Sequence, residues 1–261
     1  MSIRIENKFK ELKAKGETAF VSYICAGDPD YETSSKILHE IANHSDIIEL
    51  GIPFSDPAGD GPVIEEASKR AIANGMTLQK TLQMATEFGT TNDSTPLILM
   101  GYYNSFLKYG LGKFFTDAKS SGVDGLIIVD LPLEERHEIY GELKNSSLSL
   151  INLISPLSSE ERIKEIVDEE YSSGFLYLVS MLGITGTKDA NPKDNGLPNQ
   201  LLKRNISPIK LINTICPAEI FANKRTKSEN GLITKAPTSS IIAKTGLNKY
   251  GTPGIQKICP Q

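Results

Sequence analysis

A (β/α)8 barrel is the fold this sequence predicts, and three observations predict it. Six short, almost wholly apolar runs alternate with segments of helical periodicity between residues 20 and 179. The chain has 261 residues, the usual size for one such barrel. Glu49 and Asp130 stand at the ends of two runs, and Asp60 lies on the loop beyond one. A parallel barrel gathers its functional groups at the carboxyl ends of its strands. An open doubly wound sheet is the alternative, but no GxGxxG follows the first run. The expected organisation is a single barrel domain over residues 1–261, with an atypical part after about residue 205.

The elements follow in order. Residues 3–15 read as an amphipathic helix with Ile5, Phe9 and Leu12 at helical spacing. Residues 20–25 form the first strand and run into the turn Ala26-Gly27-Asp28-Pro29-Asp30, before a helix carrying Ile37, Leu38 and Ile41. The second strand is the run Ile47, Ile48, Leu50, Ile52, interrupted by Glu49. Helices are expected over about 63–73 and 78–88, and Pro96 introduces a third strand at 97–101. A helix at 114–120 leads to the fourth strand at 125–130, and one at 133–143 is entered just after Pro132. A fifth strand at 150–154, a helix at 160–167 and a sixth strand at 175–179 complete the regular part. A further helix is expected around 197–203.

Composition narrows the function. Apolar residues make up 39% and charged residues 23%, ordinary for a globular chain. No apolar run reaches membrane-span length and the first fifteen residues are charged rather than signal-like. Cys25, Cys216 and Cys259 are odd in number and far apart, which fits a reduced, cytoplasmic protein. Three histidines, two of them (His39, His44) on one helical segment, give no zinc pattern, and no metal is expected. Residues 210–261 carry a net +6 against −4 for the whole chain. Those cations are spaced singly without interleaved aromatic residues, so nucleic-acid binding is not indicated.

Residues 46–62 hold the most chemistry. If both faces of the second strand are covered, Glu49 is desolvated beside hydrocarbon, and its pKa should rise toward the range useful for proton transfer. The following loop carries Pro53, Pro57, Gly59, Gly61 and Pro62 with Asp56 and Asp60. Asp60 is eleven positions beyond Glu49, enough for the loop to fold back and bring the carboxylates together. The plainer reading is a half-exposed strand glutamate beside turn-forming aspartates. Asp130, before Leu131-Pro132, can likewise simply organise a turn.

The run Glu49-Leu50-Gly51-Ile52-Pro53-Phe54-Ser55-Asp56-Pro57, followed by Asp60-Gly61-Pro62, closely resembles the signature of the tryptophan synthase alpha subunit family. The likeness extends from about residue 18 to 187 and includes residues 26–30, 99–104, 122–125 and 129–132. It also takes in residues 174–180 and Gly183-Ile184-Thr185-Gly186. That family is a (β/α)8 barrel. The resemblance implies retro-aldol cleavage of indole-3-glycerol phosphate to indole and glyceraldehyde 3-phosphate. It implies Glu49 as acid/base and Asp60 as partner of the indole nitrogen. Tyr23, Met100, Asp130 and Tyr177 then line the indole pocket, Tyr23 standing where the family usually has Phe. Thr185 lies on a lid loop, and Asp56, Pro57 and Asn104 face a partner. That partner is a beta subunit, in an alpha2-beta2 tetramer, carrying pyridoxal phosphate; no cofactor is expected on this chain.

The pattern breaks beyond the sixth strand. Ser180 is followed by Met181 where the family has Arg. Ile212-Asn213-Thr214 and Lys235-Ala236 fall where glycine-rich phosphate turns are expected, and Gly186 alone remains of that set. β-branched Ile212 and Thr214 resist the positive φ that an anion-binding nest requires. Lys235 offers a point cation in its place. Residues 230–233 resemble an eighth strand, and residues 246–261 show little helical pattern. Two further readings arise: a subunit that chiefly binds and activates the beta subunit, and another phosphate-substrate barrel aldolase or isomerase. The latter lacks a strand-end lysine in the first six strands for Schiff-base chemistry.

Overall fold

A strand covered on both faces must be apolar on both, and the middle of this chain satisfies that requirement strand after strand. In the computed structural model, which describes residues 2–155, 157–179, 211–215 and 242–246, the strands close into a barrel in chain order. They are β1 (Phe20–Cys25), β2 (Ile47–Gly51), β3 (Leu97–Gly101), β4 (Gly125–Ile128), β5 (Ser149–Ile154), β6 (Ser172–Leu178), β7 (Leu211–Ile215) and β8 (Ile242–Gly246). From β1 to β7 neighbours pair in parallel. β8 runs antiparallel to both β7 and β1.

Helices alternate with the parallel strands: α1 (Ile3–Lys15), α2 (Tyr31–Ala42), α3 (Pro62–Ala73), α4 (Leu78–Thr91), α5 (Tyr103–Tyr109) and α6 (Leu111–Ser120). A 3₁₀ helix (Leu133–Ile139) runs into α7 (Tyr140–Ser146), and α8 (Glu160–Asp168) follows β5. The (β/α)8 class expected from the sequence is thus observed, and β1 and β3 match their expected limits. α5 was not foreseen. Gly110, at φ 92°, separates it from α6, so a stretch expected to be helical only from 114 holds two short helices. The expected helix at 133–143 begins as seven residues of 3₁₀ helix before turning α-helical. The helix at 197–203 and the strand at 230–233 lie outside the described residues, as do Cys216 and Cys259.

Side chains alternate across the barrel wall. Ile24, Leu50, Leu99, Leu126 and Leu150 face outward into one core with helix residues such as Leu38, Ile64, Phe88 and Phe114. Val21, Ile47, Ile98, Ile127, Ile151 and Phe175 fill the interior together with Ile5, Phe9 and Leu12 of α1. The helix face read from the sequence therefore closes the amino-terminal end of the barrel, with Phe9 edge-on to Phe175 at 5.7 Å.

Asp124 fastens that plug. Its carboxylate accepts from Ser2 Oγ at 2.7 Å and from the Leu97 N–H at 2.9 Å, and Arg4 lies at 3.2 Å. Burial nonetheless pushes its pKa up, against the opposing pull of Ser2, Arg4 and the Leu97 N–H. A folded-state value above the unfolded one means stability is full at low pH and declines as pH rises from the ordinary carboxylate value through the raised one. Asp124→Ala should cost about 1–3 kcal/mol by orphaning the Leu97 N–H. Asp124→Asn should remove the pH-dependent decline while keeping an acceptor. Urea denaturation on both sides of the carboxylate range checks both outcomes.

Candidate active site

β1 and β2 bring the first candidates together because their register sets Tyr23 beside Glu49. Glu49 has no solvent exposure, and Tyr23 retains 5%. On its other side Glu49 pairs in register with Ile98 of β3, and Gly51 with Met100. The expected strand glutamate is therefore buried from both faces, and the half-exposed reading does not hold. Gly51 is required by a close approach. A Cβ there would lie 2.1 Å from the Tyr23 hydroxyl oxygen, so only glycine lets the phenol cross the end of β2. Burial, then the charges of Cys25, Asp60 and Glu49, push the Tyr23 pKa well up. Both acids of interest are thus within electrostatic reach of one phenol. The neighbouring Cys25 thiol is pushed up to about 12, chiefly by burial, which makes it a packing group rather than a nucleophile.

The loop after β2 returns toward the barrel as the proline–glycine pattern suggested. The Asp60 N–H donates to the Pro57 carbonyl at 3.0 Å and the Ala58 N–H to the Asp56 carbonyl at 2.9 Å. Tyr102 holds the loop at its tip. Its hydroxyl accepts from the Gly59 N–H at 3.0 Å and donates to Asp60 Oδ2 at 3.0 Å. Phe54 stacks on its ring with centroids 4.9 Å apart. Burial, followed by the Asp60 charge, pushes the Tyr102 hydroxyl pKa upward and keeps it a proton donor to that carboxylate. Sequence reasoning missed Tyr102. Its only signal was its place directly after β3, at a strand's carboxyl end.

The remaining candidates divide. Met100 is half-buried and Tyr177 buried; both belong to the barrel interior, Tyr177 paired in register with Leu153. Asp130 is exposed and accepts from the Tyr103 N–H at 2.7 Å, so it caps α5 from a different element. The turn-organising reading of Asp130 has a geometric basis. Asp56 and Asn104 are exposed and Pro57 is half-buried. Thr185, Gly186 and Lys235 lie outside the described residues, as do Ser180 and Met181. The backbone at 212–214 is extended strand within β7 rather than a glycine-type turn. Among the described residues, no cluster of three or more His, Cys, Asp or Glu side chains has metal-binding geometry. None of the helices described is long and apolar enough to cross a membrane.

A buried carboxylate on a strand with a phenol beside it in register, and a second carboxylate on a loop tethered by another phenol, are the groups of a barrel enzyme of acid–base type. The family model described as tryptophan synthase alpha chain matches residues 9–213. Tryptophan synthase subunit alpha from Legionella pneumophila str. Paris is 37% identical, with 81% of this chain and 77% of that one covered at a TM-score of 0.71. Mycobacterium tuberculosis tryptophan synthase matches at 30% identity over 81% and 79%, TM-score 0.71. The tryptophan synthase complex from Pyrococcus furiosus matches at 38% identity over 60% and 63%, TM-score 0.57. This chain belongs to the tryptophan synthase alpha chain family. Its role is that family's lyase step in tryptophan biosynthesis, cleavage of indole-3-glycerol phosphate. A purely regulatory subunit and an unrelated aldolase or isomerase are not favoured.

Tyr102→Phe tests the loop tether. Loss of one hydroxyl should cost stability about 0.5–1.5 kcal/mol. Indole release should fall about tenfold or more, because Asp60 loses its fixed orientation. Paired urea and steady-state measurements separate the two effects.

Proposed function

We propose that Glu49 and Asp60 carry the cleavage on this chain. The reaction protonates the ring carbon bearing the side chain and removes the proton of the hydroxyl on the adjacent side-chain carbon. The bond between those carbons then breaks, leaving indole and an aldehyde. Glu49 serves as acid and base in turn, and Asp60 accepts the indole N–H as positive charge builds on the ring nitrogen. The observation that supports this most is the complete burial of Glu49 inside an otherwise apolar strand. Desolvation favours the neutral form of a carboxyl group, the form that can give a proton. Tyr23, Met100 and Tyr177 supply apolar and aromatic walls suited to indole, with Asp130 at the rim. Thr185 and Gly186 belong to a closing loop.

Lys235 takes the phosphate as a point cation in place of the missing glycine turns. Strand direction supports this reading. β7 runs parallel and ends at the mouth, while antiparallel β8 begins there, Ile242 pairing with Tyr23. Lys235 lies between those two strands in the sequence. The single barrel spans residues 1–261 and works in the cytoplasm.

The relative solved as a tryptophan synthase complex supports a partner subunit for this chain, which we assign as a beta subunit in an alpha2-beta2 assembly. Pyridoxal phosphate belongs to that beta subunit, and this chain needs no cofactor of its own. The surface offered is the Asp56-Pro57 loop with α5, where exposed Asn104 and Leu107 stand three residues apart on one helix face.

Glu49→Gln should lower the rate of indole release from indole-3-glycerol phosphate by about 10²–10⁴. Release at the unaltered rate removes Glu49 from the chemistry. Lys235→Ala should raise KM for indole-3-glycerol phosphate with little change in kcat, and an unchanged KM would remove Lys235 from the phosphate site.

A further inference from the structure

Two helices rather than one stand between β2 and β3. α4 takes the place in the outer ring, where His39 of α2 meets Phe88 edge-on at 5.4 Å and Thr91 Oγ1 at 2.9 Å. α3 lies instead against the carboxyl end of β1, its Ser68 Oγ 3.9 Å from Cys25 Sγ. Its buried face is Ile64, Ala67, Ser68 and Ala71. Small side chains bring a helix close to a strand but raise only low ridges to interlock with it. Apolar packing alone therefore does little to stop α3 sliding.

Contacts at its far end supply the position. Asp28, in the turn after β1, accepts from Arg70 Nε at 2.8 Å and from Arg70 Nη2 at 3.0 Å. Such a two-point match of planar groups fixes direction as well as distance. Asn74 Nδ2 donates to the Pro29 carbonyl at 2.5 Å. The Met76 side chain covers Gly27, where a Cβ would lie 2.7 Å from Met76 Cγ. The turn itself is anchored to α2: the Gly27 N–H donates to Ser34 Oγ at 3.0 Å, and Asp30 accepts from the Thr33 N–H at 2.8 Å. The Asp28 side chain is 2% exposed and that of Arg70 44%, so the carboxylate is the fixed member and the guanidinium docks on it.

The near end of α3 carries the site. Gly61 is the residue that caps the helix, and Asp60 comes immediately before it. Arg70 is eight residues beyond Pro62, about 12 Å along a helix that moves as a rod. Tyr102 holds the loop before Asp60 and one oxygen of its carboxylate. The chain after Asp60 is held by α3.

We propose that Arg70 and Asp28 are positioning residues for the cleavage: their pair sets α3 against the turn after β1, and so sets where Asp60 stands. Both act through Asp60 and neither takes part in the chemistry. Their effect on rate rests on the role given to Asp60 above; the bracing of the loop does not.

Arg70→Gln removes the guanidinium fork, and Asp28→Asn keeps an acceptor while removing the charge. Each should leave the far-ultraviolet circular dichroism spectrum unchanged. Amide hydrogen exchange in the stretch 54–62, read by mass spectrometry, should quicken about tenfold, with exchange in α4 unaltered. The kcat for indole release should fall about tenfold while KM for indole-3-glycerol phosphate stays within about twofold. Combined with Tyr102→Phe, either substitution should lower kcat little further, because both act on one carboxylate. Should Arg70→Gln disturb folding, Asp28→Asn decides. Unaltered exchange in the folded variants overturns the brace. With Asp60→Asn itself slow, an unaltered kcat, or a double loss equal to the product of the single losses, overturns the proposal. Full-rate release by Asp60→Asn would instead refute the role assigned to Asp60, and quickened exchange in Arg70→Gln would still show the brace.

Discussion

Glu49 has no solvent exposure in a strand whose five residues are all buried. Moving an ionised carboxylate out of water costs several kcal/mol unless charge or hydrogen bonds compensate it. A parallel barrel tolerates such a residue only where neighbouring elements are built around it. β1 contributes Tyr23 directly alongside, and Gly51 gives up its side chain so that the phenol can lie across the strand end. The same barrel excludes water from below, because α1 plugs the amino-terminal end with Ile5, Phe9 and Leu12. The buried acid is thus kept at the mouth by the packing that forms the fold.

The second carboxylate is held by different means. Asp60 sits on a loop, and a loop alone does not fix a side chain to the tolerance that proton chemistry needs. Tyr102 supplies the missing rigidity by engaging the Gly59 N–H, the Asp60 carboxylate and the Phe54 ring at once. Its neighbour Tyr103 gives its N–H to Asp130 and its hydroxyl to Glu138 at 2.5 Å. Two consecutive residues at the end of β3 therefore join the loop after β2 to the end of β4 and the 3₁₀ helix. α5 starts at Tyr103, directly after Tyr102, and carries Asn104, so the face proposed for the partner begins two residues beyond the tether on Asp60.

The strands were legible because burial on both faces writes itself into composition. A run such as Leu97-Ile98-Leu99-Met100-Gly101 has few other uses. Glu49 was legible for the opposite reason, as the exception within such a run. The prolines and glycines after it announced a returning loop. Tyr102 was not legible. It acts across forty-two positions on Asp60, and nothing local distinguishes it from any aromatic residue after a strand. Asp130 showed the converse difficulty. An acid at a strand end reads as chemistry, but the bond it makes is a helix cap 27 positions away.

The reversal of β8 changes what the carboxyl ends of the last strands can contribute. In an all-parallel barrel, the loops following strands seven and eight both emerge at the mouth and present backbone N–H groups to phosphate. Here the end of β8 points away from the mouth. Phe20, at the start of β1, pairs with Thr245, and Tyr23, further up the strand, with Ile242. Gly246 is accordingly at the far end, where it cannot serve a ligand held beside Glu49. The stretch 216–241 lies between β7 and β8 in the sequence, and both flanking strand ends are at the mouth. Its lysines and arginine, Lys224, Arg225, Lys227 and Lys235, outnumber its acids, Glu219 and Glu229. The proposed phosphate role of Lys235 follows from that arrangement: with one strand reversed, side-chain charge is what this stretch can offer an anion in place of backbone N–H groups.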